Sequence, residues 1–214
     1  MGAQTLTDLV SEPQFLPPSV PVDRLFRVTL DVYHGMIGQG LLTKRDKVVL
    51  LDGFLVEKMT RGAPHVWVTT KLFKRLLGIV GNGWEVRKED PITLPGAPGG
   101  RDSEPEPDLA IVRGVADDFI DHHPGPSDVA LVVEVADSSL REDRAGLALY
   151  ARAGIPAAWL VNLKDRIIEV HTGPTGASSP SGYRDVLVYG EGDEVPVMID
   201  GREVGRIAAR EVLP

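Results

Sequence analysis

Residues 129–162, VALVVEVADSSLREDRAGLALYARAGIPAAWLVN, contain the pattern that decides the fold. The run 129–135 is apolar except for Glu134, which is typical of a central strand covered on both faces. A helix is predicted from Arg141 to Ala153, where a glycine and then a proline stop it. Residues 157–162 form a second apolar strand. Strand, helix and strand in this order predict a crossover between neighbouring strands of an α/β sheet.

Further elements extend this sheet. Two β-rich runs, 48–51 and 54–56, flank Asp52-Gly53, the dipeptide most favourable for a tight hairpin turn. Residues 108–112 form a short buried strand after the Gly- and Pro-rich loop 95–107. The remaining predicted elements are helices at 22–40 and 65–79, strand-like runs at 84–87 and 92–94, and antiparallel strands and hairpins from residue 166 onwards. The fold class is therefore α/β, with a mixed central sheet flanked by helices and antiparallel hairpins.

The length and composition fit one domain. The chain has 214 residues, of which 43% are hydrophobic and 25% are charged, enough to close one core without requiring a second. Residues 1–21 are rich in proline and small polar residues and predict an extended N-terminal arm, so the single domain spans 22–214. The sequence contains no cysteine. Disulfides, thiolate metal sites and thiol nucleophiles are thus excluded, and any bound metal ion would have oxygen or imidazole ligands.

Charge and hydropathy restrict the partners. The formal net charge of -8 argues against a protein that coats nucleic acid, because non-specific binding depends on neutralisation of phosphates by Lys and Arg. A nuclease remains compatible, since catalytic carboxylates lower the net charge and a local basic patch still meets a phosphate backbone. Residues 1–16 lack the basic start and apolar run of a signal peptide, and no run of about 18 apolar residues occurs, so we expect a cytoplasmic protein without membrane association.

Two carboxylates within apolar strands are the candidate metal ligands. Asp108 begins one strand and Glu134 lies near the end of another, and an isolated carboxylate in such a run is costly unless it is paired or metal-bound. Carboxylates on adjacent strands bind Mg²⁺ or Mn²⁺ and leave positions for water and a phosphate oxygen. The alternative is that Glu134 only caps its strand or pairs with Arg144.

An ordered series of short motifs runs through the chain. It comprises residues 41–43 (LLT), 50–53 (LLDG), 55–59 (LVEKM), 64–65 (PH), 103–112 (SEPEPDLAIV), 131–140 (LVVEVADSSL) and 150–156 (YARAGIP), followed by Trp159. With these motifs the sequence resembles the Uma-two family of restriction endonucleases, a branch of the PD-(D/E)XK nuclease superfamily, across almost its whole length. The resemblance implies a restriction-endonuclease-like fold, with Asp108 as the aspartate of the PD motif and Glu134 as the second metal ligand.

The sequence departs from that family at two positions. Relatives are expected to carry a lysine four residues before the tyrosine of the helix, where this chain has Gly146, and Ala136 stands two residues beyond Glu134 and does not replace it. Arg144 is the nearest cation, but a guanidinium stays protonated and poorly replaces a lysine that must trade protons. Relatives often carry a glutamate in the first hairpin strand, where this chain has Val49. Both losses favour a weakened or non-catalytic member.

Three histidines are possible site residues. His65 follows Pro64 at the first turn of a helix, and the resemblance places it near the site, where it contacts a phosphate or positions water. A plain residue of the first helical turn is equally compatible with this position. His122 and His123 lie in a Pro-rich loop, and a zinc site there would need a third ligand at a suitable distance. They are left out of the candidate site.

Two main hypotheses follow. The first is a metal-dependent endonuclease acting on DNA, in which Asp108 and Glu134 bind Mg²⁺ or Mn²⁺ while Arg144 and His65 assist at the phosphate. The alternative is a catalytically inactive protein of the nuclease fold that binds nucleic acid or a protein partner. A third is a metal-free structural homodimer, because an exposed apolar edge strand in the C-terminal half would pair with its twin. A nuclease of this fold is itself expected to be a homodimer, since two strands must be cut.

Overall fold

A computed structural model describes residues 21–97, 99–137, 140–178 and 180–214. Its helices are α1 (Leu30–Gly38), α2 (Ala63–Ile79) and α3 (Leu140–Ala153). Its strands are β1 (Val48–Leu51), β2 (Phe54–Glu57), β3 (Trp84–Arg87), β4 (Leu109–Arg113), β5 (Val129–Ala136), β6 (Ala157–Asn162), β7 (Ile167–Pro174), β8 (Tyr183–Tyr189), β9 (Glu194–Ile199) and β10 (Arg202–Ala208). Strands β3 to β8 form one six-stranded sheet in chain order, and β1–β2 and β9–β10 form two-stranded sheets.

The predicted crossover lies at the centre of the six-stranded sheet. Strands β5 and β6 are parallel, with Val133 opposite Trp159, and the other neighbouring strands are antiparallel. Parallel neighbours need a connection that crosses the sheet, and α3 provides it. The predicted fold class, a mixed sheet with flanking helices and antiparallel hairpins, is confirmed.

The two faces of the sheet pack against different elements. One face is covered by α2 and by the β9–β10 hairpin, and the other by α3. Because side chains alternate along a strand, Leu109 and Ile111 of β4, and the odd-numbered residues of β5 from Leu131 onwards, join the core on the α2 side. The even-numbered residues Ala110, Val112 and Val132 join the core on the α3 side. This alternation determines which face each functional carboxylate takes.

The first helix is shorter than its sequence pattern predicts. The pattern indicates a helix over residues 22–40, whereas α1 begins at Leu30 and only a short 3-10 turn precedes it, at Val22–Arg24. Thr29 has extended backbone, and its side-chain oxygen accepts a hydrogen bond from the Val32 N–H at 3.3 Å. A threonine in this role satisfies a free N–H donor at the start of a helix. The helix therefore begins after Thr29, although the helical spacing of apolar residues starts earlier in the sequence.

The β1–β2 hairpin forms at the predicted turn. Asp52 and Gly53 both have positive φ, 49° and 81°, as a two-residue hairpin turn requires. The strand-like run 92–94 forms only a single bridge, between Leu94 and Ser103. In the described part of the chain, no helix is long and apolar enough to cross a membrane.

Some sequence predictions fall outside the described residues. The extended arm predicted for residues 1–21 is described only at Pro21, and the motif residues Ser138 and Ser139 are not described. The single domain over 22–214 stays a prediction.

Candidate active site

Asp108 and Glu134 lie side by side on neighbouring segments of the sheet. Leu109 pairs with Val133 in the antiparallel register of β4 and β5, so one further step along the register brings Asp108 opposite Glu134. The Glu134 side chain meets Tyr150 of α3, and the Asp108 side chain meets His65 at the start of α2. The Asp108 backbone N–H donates a hydrogen bond of 3.4 Å to Glu134 Oε2. The structure thus brings together the two carboxylates that the sequence predicts as metal ligands.

The Asp108 carboxylate is buried and held by three donors. Its Oδ2 accepts a hydrogen bond from the Val135 N–H at 2.8 Å and lies 2.9 Å from His65 Nε2. Its Oδ1 lies 3.2 Å from a terminal nitrogen of Arg61. His65 belongs to the first turn of α2, as predicted, and is itself buried. Charge-assisted hydrogen bonds of this kind fix the orientation of a carboxylate, so Asp108 has a defined position before any ligand binds.

Glu134 lies in a different electrostatic environment. Its Oε1 accepts a hydrogen bond from the Tyr150 hydroxyl of α3 at 2.5 Å. Removal from water, together with the negative charge of Asp108, raises the pKa of Glu134 to about 8, although the Tyr150 hydrogen bond acts in the opposite direction. Burial and the nearby carboxyl of Glu134 raise the pKa of Tyr150 well above its usual value, so its phenol stays protonated as a donor. Near neutral pH the metal-free pair therefore tends to retain a proton.

A pocket of about 450 Å³ opens over the two carboxylates. Two cations line it, and we call Lys58 and Arg61 the pocket cations. The Lys58 ammonium lies 2.6 Å from Glu106 Oε2, and Arg61 contacts Glu89 at 2.8 Å as well as Asp108. Their side chains remain about one-third exposed. The pocket thus combines acids at its floor with positive charge that an anionic ligand can reach.

The floor of the pocket fits a divalent cation. Two carboxylates that repel each other's negative charge gain from a cation placed between them. Each carboxylate oxygen has a further lone pair beyond the single hydrogen bond that most of them accept here. Mg²⁺ and Mn²⁺ prefer oxygen ligands of this type. Asp108 and Glu134 are the residues that would hold such an ion.

The two positions at which the sequence departs from its relatives both line this pocket. Val49 lies on β1 and Gly146 on α3. A Cβ atom added at Gly146 would meet no atom within 4 Å, so a larger side chain has space there. The acidic residue Asp143, one turn earlier on α3, also lines the pocket.

Arg144 lies apart from these residues. Its guanidinium donates two hydrogen bonds to the carboxylate of Glu169 on β7, the one from Nε measuring 3.2 Å. Glu169 is buried and also lies 3.2 Å from His171 Nε2. Arg144 does not line the carboxylate pocket, and it pairs with Glu169 rather than with Glu134, which was one form of the alternative interpretation. Its predicted role at the phosphate has no support from this placement.

Sequence reasoning missed three residues of the pocket. Lys58 and Tyr150 stand within the family motifs but carried no assigned role, and Arg61 stood in none of them. The approach of Arg61 to Asp108 joins the segment after β2 to the start of β4. No local spacing reveals such a contact, because the two residues are far apart in the sequence.

Comparisons with known proteins give a family and a similar fold. A family model described as "Uma2: Putative restriction endonuclease" matches residues 33–202. Among solved structures, a protein from Anabaena variabilis ATCC 29413, described as "a putative nuclease belonging to DUF820", is similar with a TM-score of 0.63 and 12% identity. The alignment covers 86% of this chain and 97% of the other. At this identity the likeness concerns the fold alone. No curated protein matches the chain.

Proposed function

Since the chain belongs to the Uma2 family, we propose that it hydrolyses phosphodiester bonds of DNA with the help of a divalent metal ion, Mg²⁺ or Mn²⁺. The observation that carries the proposal is the apposition of Asp108 and Glu134 at the floor of a pocket that also holds two cations. A phosphodiester brings a negative charge that the pocket cations can meet, and a metal ion needs oxygen ligands that the two acids supply.

The chain's own residues have distinct tasks in this proposal. Asp108 and Glu134 would hold the ion, which supplies positive charge at the scissile phosphate and acidifies a water molecule. His65 orients Asp108 through its 2.9 Å contact, and Tyr150 orients Glu134 through its hydroxyl. The pocket cations supply further positive charge for the phosphate. This arrangement replaces Arg144 in the phosphate-binding role that the sequence suggested.

The alternative is a catalytically inactive nuclease-fold protein that binds nucleic acid or a protein partner. Gly146 favours it, because this position lines the pocket from α3 and offers no amine. Both pocket cations are also paired with carboxylates. A site of this kind keeps its shape and its metal ligands but stabilises the developing charge of the reaction less well. The two proposals therefore agree on metal binding and differ on turnover.

Titration of Mg²⁺ and Mn²⁺ by calorimetry, combined with nicking of supercoiled plasmid, tests both proposals. We expect Glu134→Gln and Asp108→Asn to lose metal binding and nicking together. Asp200→Asn serves as the matched control, because Asp200 is an exposed acid paired with Arg113 outside the pocket. Metal binding without nicking in the unmodified protein would favour the inactive alternative. Absence of metal binding would refute the proposed enzyme.

Gly146→Lys adds a gain-of-function test. The open space at Gly146 admits a lysine side chain, and lysine in place of glycine within a helix also contributes about 0.5–1 kcal/mol of stability. We expect faster nicking in this variant than in the unmodified protein. Gly78→Lys on α2 is its control, since a Cβ atom there likewise meets nothing within 4 Å and the residue does not line the pocket. Equal rates in all three proteins would show that a lysine at this position is not what limits activity.

The homodimer also belongs to the proposal. Strand β8 forms one edge of the six-stranded sheet, and its residues Val186, Leu187 and Val188 are exposed. An apolar edge strand pairs readily with a second strand, so we propose that two copies meet there. Sedimentation velocity on Leu187→Lys, with Val204→Lys on β10 as an exposed control, tests it. A monomeric unmodified protein would refute this pairing.

A further inference from the structure

Outside the candidate active site, three side chains that commonly bind metals meet beside α1. They are His34 on α1, Glu104 in the segment before β4, and His123 in the loop between β4 and β5. We call them the two-histidine cluster. Their potential ligand atoms all lie within 4.8 Å of one another. The sequence showed only the adjacent pair of loop histidines, because the two other members are distant along the chain.

The distances from the two histidines to Glu104 are close to those between the ligands of one metal ion. His34 Nε2 lies 3.0 Å from each oxygen of Glu104, and His123 Nε2 lies 3.9 Å from Oε1. Around a four-coordinate zinc ion with bonds of about 2.0–2.1 Å, neighbouring ligand atoms are about 3.3 Å apart. The observed distances bracket this value. The two imidazole rings are tilted at 75° to each other with centroids 6.2 Å apart, so they do not block each other's access to a common ion.

Glu104 is a buried acid without a Lys or Arg partner. It is only 3% exposed, and in the described ranges its charged or polar side-chain contacts are the two histidines and Thr93. A buried carboxylate is costly unless a cation and hydrogen bonds compensate for its lost hydration. A metal ion held jointly with two imidazoles meets that requirement.

The backbone around the cluster holds its members in place. The Thr93 hydroxyl donates to Glu104 Oε2 at 3.0 Å, while the Thr93 N–H donates to the Pro124 carbonyl at 2.9 Å, next to His123. The Glu104 N–H donates to the Leu50 carbonyl on β1. Hydrogen bonds of this type orient metal ligands before the ion arrives. Two of the three cluster members are thus anchored independently of any ion.

We infer that the two-histidine cluster binds one Zn²⁺ ion through the two imidazoles and the Glu104 carboxylate. Imidazole and carboxylate suit zinc, and three protein ligands leave a fourth position for water. The side chains of His34 and His123 are 46% and 40% exposed, so the ion has a path from solvent. By joining α1 to the loop before β5, zinc stabilises the folded chain against unfolding. This site is separate from the Asp108 and Glu134 pair.

Zinc titration of the full chain after removal of metals by chelation tests this inference. The titration is performed in the Glu134→Gln background, which removes one carboxylate of the active site. We expect one zinc ion per chain, a raised melting temperature, and the visible spectrum of tetrahedral coordination when Co²⁺ replaces zinc. His123→Ala should weaken binding by more than about 100-fold, since even the loss of a ligand's hydrogen-bond partner costs about 10- to 100-fold.

His122→Ala is the matched control. His122 is adjacent in sequence but packs against Phe119, with ring centroids 5.4 Å apart, and is not a member of the cluster. We expect it to bind zinc like its parent. Equal affinity in His123→Ala and His122→Ala would overturn the inference. So would zinc binding in the unmodified protein that disappears in Glu134→Gln, because the ion would then belong to the active site. Since His123 is partly exposed, its replacement also avoids the folding risk carried by Glu104→Gln.

Discussion

The protonation of Glu134 gives the sharpest prediction. Its pKa is raised from 4.5 to about 8, chiefly by burial and then by the charge of Asp108. Between these two pH values the folded protein binds a proton that the unfolded chain has released. Stability of the metal-free protein should therefore fall as the pH rises through this window. At about 1.4 kcal/mol per pH unit, the contribution amounts to at most about 5 kcal/mol.

The variant Glu134→Gln isolates this contribution. A glutamine has nearly the same shape and carries no titrating proton, so its stability should lack this part of the pH dependence. Urea unfolding with a chelator present, at pH values from about 5 to about 9, gives the free energy of unfolding of both proteins. We expect the variant to gain stability relative to the unmodified protein as the pH rises. A difference that stays flat, or changes in the opposite direction, would refute the reasoning.

The affinity for a metal ion should depend on pH through the same proton on Glu134. An ion bound by the carboxylate of Glu134 must displace it, so the apparent affinity for Mn²⁺ rises by up to about tenfold per pH unit below about pH 8 and then levels off. Calorimetry in two buffers of different ionisation enthalpy measures the proton released. Release of no proton at about pH 7 would show that Glu134 is already ionised. Asp200→Asn should retain the full pH profile of the unmodified protein.

Three further predictions concern single side chains. Tyr150→Phe removes a hydrogen bond that favours the ionised form of Glu134, so Mn²⁺ affinity by calorimetry at neutral pH should fall about tenfold or more; an unchanged affinity would contradict this. Arg144→Ala leaves the buried acid Glu169 of β7 without its arginine partner, so the free energy of unfolding in urea should fall by about 1–3 kcal/mol. Slower nicking by the protein that remains folded would instead support the predicted role of Arg144 at the phosphate. Gly205→Ala would place a Cβ atom 2.7 Å from Ile79 Cγ2 and cost about 1–3 kcal/mol; the clash should disappear when Ile79→Ala is added, and equal penalties with and without that change would refute it.

Local patterns determined much of the architecture. The alternation of apolar runs and a glycine-stopped helix over residues 129–162 was sufficient to predict β5, α3 and β6, because buried parallel strands and their crossover have compositions that few other structures share. The Asp52-Gly53 dipeptide likewise predicted the first hairpin. The predicted start of α1 was wrong, because the helical spacing of apolar residues already begins at residue 22, whereas Thr29 caps the helix. Capping depends on one side chain, whereas spacing averages over many.

The candidate site was likewise predicted in part from the sequence. The sequence by itself determined the acids at 108 and 134 and the family, because these residues lie in contiguous motifs. Only the tertiary structure decided which cations lie beside these acids. Arg61 contacts Asp108, whereas Arg144 pairs with Glu169. It alone joined His34, Glu104 and His123. The physical reason is that the apolar pattern of a strand predicts which of its residues are buried, and this depends on the segment itself. An ion pair or a chelating cluster depends instead on distances between segments that only chain packing sets.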